Sequence, residues 1–283
     1  MKRHEIIDAL SRPGNFPWEG ISRCLNHPDD CIPVFLLLLE REARDLPIDP
    51  RERLSLFYGI HILAALGVGE TFDPLAQALR KPAQKVAALT GDAIGETIPQ
   101  VLMALSSGHA DTCFQLALDP DTDWIIRNAY LRCWTFEVLE GRVSTLTASQ
   151  KLSSLISGTP PDPTDYIWHG WLTAIADLGL EDLMPVVNRA LDNGMIRTGA
   201  TGVNEGDYQD FLHAHMEACR ARKSVGDWLD WQKQNNYLAF GAAREDFKRA
   251  FLFAPHLPLP LSQETEDNPH VLRAAEESDD YEN

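Results

Sequence analysis

The side chains able to do chemistry are scattered along this sequence rather than gathered. His61 lies in the apolar run from Leu56 to Leu66. Histidine titrates near neutrality, so it is a candidate ligand or base. Its apolar neighbours favour a core or groove histidine, with a ligand or base as the alternative. His213 and His215 are two residues apart, which on a helix points them in different directions. Zinc-binding helices space their ligands by three or four, so no metal is expected there. Gly91-Asp92-Ala93-Ile94-Gly95-Glu96 has two glycines but matches neither GxxxxGK[ST] nor GxGxxG. The only nearby lysines, Lys81 and Lys85, lie in the preceding connection, so the segment reads as a helix start with early acids. A small-ligand pocket on this chain would be built from His61, Asp92 and Glu96. Asp162, Asp165, Asp177, Glu181 and Asp182 are carboxylate-rich, yet nothing in their spacing makes two of them face across a substrate. The serines offer no GxSxG elbow. No catalytic residue, cofactor motif or metal set emerges.

Aromatic residues are more informative. Trp124, Tyr130 and Trp134 cluster in one segment, Tyr166, Trp168 and Trp171 in another, and Trp228 and Trp231 nearer the end. Trp and Tyr dominate binding hot spots. On helices that line one face, Trp134, Trp168 and Trp171, with Tyr58 and His61, would form a binding groove. The competing assignment places these rings in the core between layers.

The elements that must position these residues are helices. Ile94, Ile98, Val101, Leu102 and Leu105 recur at offsets of three and four, as do Ile126, Tyr130, Cys133 and Trp134, and Leu183, Val186, Val187, Ala190 and Leu191. The pattern predicts helices over 2–11, 17–26, 30–44, 51–66, 72–80, 92–106, 110–118, 122–140, 147–157, 164–178, 181–193, 207–221 and 224–236. Only 142–147 alternates weakly like a strand. Leu36, Leu63, Leu105, Ile126, Leu172 and Val187 are expected to be buried. Three segments share one grammar: apolar helix end, small-residue turn, acid, second apolar helix. Counting a weaker fourth turn at Gly141, the turn glycines fall at 67, 108, 141 and 179, a spacing of 33 to 41 residues that matches helix-pair solenoids.

Composition narrows the function classes. With 42 Asp and Glu against 25 Lys and Arg, the formal net charge is −17. Nucleic-acid affinity rests on cations that displace counterions from phosphates, so nucleic acid is a poor partner. Anionic membranes repel such a chain, and the apolar run at 56–69 is shorter than a bilayer span. The expected partner is a basic protein or peptide segment, drawn by charge and anchored by aromatics. Five scattered cysteines without a CxxC pair fit reduced thiols in the cytoplasm. Residues 262–283 carry Glu264, Glu266, Asp267, Glu276, Glu277, Asp279, Asp280 and Glu282 against Arg273 alone, an acidic tail unsuited to a packed core.

Leu118-Asp119-Pro120-Asp121 followed by Ile126-Arg127-Asn128-Ala129-Tyr130 has the Asp/Pro turn and aliphatic-Arg helix start of HEAT-type repeats. His61 to Leu66, Gly91 to Glu96, Leu118 to Asp123, and Ala129 to Leu139 with Glu140-Gly141-Arg142 follow in that order. The ordered set resembles the bacterial family of domain of unknown function 1186 (DUF1186), over about 30 to 200. The resemblance implies an all-α, HEAT-like α-solenoid of stacked antiparallel helix pairs and supplies no catalytic residue. Some members end in a Cys- and His-rich zinc module; here the last cysteine is Cys219. The expected organisation is N-terminal capping helices over 1–29, a repeat core over 30–193, C-terminal helices and a Pro-rich extension over 194–261, and the acidic tail over 262–283. The expected function is a non-catalytic binding scaffold. The alternative is an enzyme or small-ligand carrier on the same helices.

Overall fold

The computed structural model describes residues 2–12, 14–158, 160–196 and 205–255, and the acidic stretch 262–283 lies outside them. Among the described residues the chain is all-helical, with no strand. The helices are α1 (Arg3–Leu10), α2 (Trp18–Asn26), α3 (Pro28–Ala43), α4 (Pro50–Ala65), α5 (Phe72–Leu79), α6 (Ala83–Thr90), α7 (Ala93–Glu96) and α8 (Ile98–Leu105). They continue as α9 (Ala110–Ala117), α10 (Trp124–Leu139), α11 (Thr145–Ser157), α12 (Ile167–Asp177), α13 (Met184–Asp192), α14 (Glu205–Ala221), α15 (Val225–Gln234) and α16 (Arg244–Leu252).

Local chemistry sets many of the boundaries. Asp49 caps α4 by accepting from the amides of Arg51 and Glu52 at 2.8 and 2.9 Å, with Pro50 in the first turn. Asp123 caps α10 and Ser144 caps α11 in the same way. The turn glycines 67, 108, 141 and 179 all have positive φ. At Gly67 the amide donates to the Ala64 carbonyl and the Val68 amide to the Leu63 carbonyl, the paired bonds that close a helix through a left-handed residue. Gly141 and Gly179 repeat that pattern.

Three helices carry the core. On α4, α10 and α12 residues are buried on nearly every side, including His61, Arg127 and Asp177. Helix α4 packs on α3 and α8, α8 on α10, α10 on α9 and α12, and α12 on α14. Buried charges on these helices are satisfied. Arg127 makes two bonds to Asp165, at 3.0 and 3.1 Å, and a third to the Ala117 carbonyl. Glu137 takes two from Arg142 at 2.8 Å and one from the Ser106 hydroxyl.

Several sequence expectations are corrected. The single helix expected over 92–106 is two, because Pro99 has no amide to extend α7 into α8. Helices α6 and α16 were not expected. Both are short, and α16 is charge-rich, burying only Phe247 and Ala250. The weak strand at 142–147 is a turn running into α11. Leu63, Leu105, Ile126, Leu172 and Val187 are buried, whereas Leu36 is half-buried because Phe35, Leu38 and Leu39 take the core side of α3.

The C-terminal segment returns to the N-terminal helices. Phe247 packs against Trp18 at 6.3 Å and Phe251 against Phe16 at 5.6 Å, centroid to centroid. The Phe240 amide donates to the Gln100 carbonyl, and the Asp92 amide to the Phe253 carbonyl. Gly91 permits that approach: at φ +54, a Cβ there would lie 2.4 Å from the Phe253 oxygen.

Candidate functional site

His61 is fully buried. Its Nδ1 is 2.8 Å from the Phe57 carbonyl and its Nε2 is 2.8 Å from Thr97 Oγ1. A carbonyl only accepts, so Nδ1 carries the proton and the Thr97 hydroxyl donates to Nε2. The Phe240 ring closes over it, 4.8 Å centroid to centroid. Burial lowers its pKa to about 4. It is a neutral core histidine, and both nitrogens are occupied. Asp92 and Glu96 are exposed at α7. The pocket expected from His61, Asp92 and Glu96 is therefore not assembled: one member is sealed in the core and two face solvent.

The expected groove aromatics are also core residues. Tyr58 is 2% exposed, Trp134 0%, Trp168 1% and Trp171 0%. Trp134 packs on Phe114 at 4.7 Å, and Trp168 meets Trp171 edge-on at 5.6 Å. The indole N–H of Trp168 donates to the Asp162 carbonyl and that of Trp171 to the Leu152 carbonyl, both at 2.9 Å. These rings cannot anchor a partner on the folded protein, because α10 and α12 are enclosed by neighbouring helices.

Two other aromatics from the same clusters do reach solvent. Trp124 is 45% exposed and Tyr166 56%, and their rings stack at 4.7 Å with 24° between planes. Trp124 is the first residue of α10, and Tyr166 immediately precedes α12. These two rings point outward from the helix starts, whereas Trp168, in the first turn of α12, and Trp134, mid-α10, point into the core. The Arg127–Asp165 pair ties the two helix starts together beneath the stack. Carboxylates surround it in sequence: Asp121 and Asp123 precede Trp124, and Asp162 and Asp165 precede Tyr166. Asp123 and Asp165 are engaged by the amides of Ile125 and Ile167, while Asp121 is exposed. The result is an exposed aromatic ledge, with the exposed carboxylate of Asp121 three residues before Trp124. Its sequence signal is an aromatic directly after an aspartate that accepts from the amide two residues on.

Other reactive groups are structural. Cys24, Cys31, Cys113 and Cys133 are buried free thiols, with the Cys113 and Cys133 sulfurs 3.5 Å apart. His213 is exposed and His215 buried, with Cys219 Sγ 3.8 Å from the His215 ring. No group of three or more His, Cys, Asp or Glu side chains is placed to hold a metal among the described residues. No helix among them is long and apolar enough to cross a membrane.

Residues 1–222 match the family model described as "Protein of unknown function (DUF1186)", and the chain belongs to that family. Helices α15 and α16 lie beyond the matched residues. No curated protein and no solved structure matches the chain.

Proposed function

We propose that this DUF1186 member is a non-catalytic binding scaffold that takes a basic protein or peptide segment on the Trp124–Tyr166 ledge. The observation that carries this reading is the exposed, stacked aromatic pair at two tied helix starts. A Lys or Arg side chain laid over such a pair gains cation–π attraction. The carboxylates before each ring and the net charge of −17 add long-range pull toward cations. The same charge disfavours nucleic acid and anionic membranes. The scaffold reading extends to a HEAT-like solenoid of antiparallel helix pairs. Its support is the glycine turns at 67, 108, 141 and 179, all with positive φ, and the helix-to-helix contacts running from α4 through α8 and α10 to α12. Five free thiols accord with a reducing cytoplasm, and the family resemblance with a bacterial source.

A fluorescein-labelled, arginine-rich peptide titrated at low salt tests the ledge. Replacing Trp124 and Tyr166 together by Ala removes two exposed rings, so the melt should barely move. Affinity should fall about thirtyfold, the scale of losing a hot-spot aromatic. Unchanged affinity in the double variant would dismiss the ledge. Trp168→Ala serves as the contrast: it should lower stability because that ring is core.

A further inference from the structure

The chain carries 42 acids against 25 Lys and Arg, and several described arginines, Arg12, Arg23, Arg132, Arg222 and Arg244 among them, nevertheless have no carboxylate ion pair. Arg3 and Arg41 pair with Glu52, Arg51 with Asp8, Arg53 with Glu42 and Arg80 with Asp119. Arg12 and Arg23 have no ion pair or hydrogen bond among the described residues. Both line the same cavity of about 340 Å³, at the elbow between α1 and α2. One wall of that cavity is aromatic. Phe16 and Trp18 stack at 6.1 Å and 21°, backed by Phe251 and Phe247. A third guanidinium, that of Arg244, lies 5.5 Å from the Phe16 ring centre and 5.8 Å from that of Trp18. Helix α2 begins in the cavity with Pro17 at its cap position and no side-chain cap, and the carboxylate of Glu19 lies in its first turn. Asn15 and Glu19 complete the lining.

We propose that this elbow binds a small organic anion, a single phosphate or carboxylate group carried on a flat apolar body. Two guanidinium forks match a planar or tetrahedral oxyanion. The Phe16–Trp18 wall takes the body, and the volume falls within the range of small-ligand pockets. Glu19 on the same lining opposes an extended polyanion. The site is separate from the Trp124–Tyr166 ledge and carries the opposite charge preference.

Phenyl phosphate titrated calorimetrically into the full-length chain at low salt tests the site, with inorganic phosphate as comparison. Phenyl phosphate should bind saturably and more tightly than inorganic phosphate. Arg12→Gln and Arg23→Gln should each weaken it about tenfold, the scale of one charge-assisted hydrogen bond. Both residues are exposed, so their melts should match the wild type. Arg220→Gln, at an exposed arginine on α14, should leave binding unchanged. Absence of saturable binding, equal affinity for the two phosphates, or equal losses in all three variants would overturn the proposal. The acidic stretch 262–283 offers the same carboxylate chemistry from within the chain. A full-length variant with those acids changed to amides should bind phenyl phosphate unchanged; a tenfold gain would mean the chain's own carboxylates fill the site, and would overturn it too.

Discussion

Acidification should unfold this protein partly through His61. The folded state holds that ring neutral: burial is the main cause, the nearby Arg249 charge adds to it, and the bond to the Phe57 carbonyl works against it. The folded pKa is about 4 and the ordinary value 6.5. Between those values the unfolded chain binds the extra proton and the folded chain does not, so stability falls as pH falls. The contribution is complete above pH 7 and decreases by about 1.4 kcal/mol per pH unit, roughly 3 kcal/mol in all by pH 4. Asp177 acts in the opposite sense. Burial raises its pKa to about 6 from 3.8, against the opposing bond from Tyr237. Its stabilising share is present below pH 4 and is lost as pH rises through 6. The two slopes oppose each other between pH 4 and 6, so a bare wild-type curve hides both. Urea unfolding of the wild type and His61→Gln across pH 7.5 to 4.5 separates them, since glutamine does not titrate and every other group cancels in the difference. The wild-type advantage at pH 7.5 should shrink by about 2–3 kcal/mol at pH 4.5. A gap that stays constant within about 0.5 kcal/mol, near the error of such extrapolations, would refute the buried neutral histidine.

Gly91→Ala should cost about 2–3 kcal/mol in urea unfolding, because it adds left-handed strain to overlap with the Phe253 carbonyl. Gly108→Ala, at φ +85 with open space around it, should cost only about 1 kcal/mol; equal losses would remove the case that 253–255 is docked on Gly91. In a native thiol titration Cys219 should react first, and slowly, since burial raises its pKa. The other four are buried and should react only on denaturation, so prompt labelling of Cys113 or Cys133 would contradict the packing of α9 on α10.

The features legible in the residues alone are local. Glycine turns act within one helical turn, so the glycines at 67, 141 and 179 mark helix ends in the residues and in the fold alike. The all-α class and the burial of Leu63, Leu105, Ile126, Leu172 and Val187 follow from period and composition. Tertiary structure decided the fate of the aromatics. Helices α4, α10 and α12 are enclosed on nearly all sides, so their sequences have no polar face from which a phase could be read. A groove placement of Trp134, Trp168 and Trp171 therefore stood open beside the core one. Trp124 and Tyr166 meet on the surface where the helix starts of two distant segments come side by side. The return of Phe240, Phe247 and Phe251 onto His61, Trp18 and Phe16 joins residues nearly two hundred or more positions apart. No local pattern encodes such a contact; it arises because these rings bury apolar surface only after the preceding helices have packed.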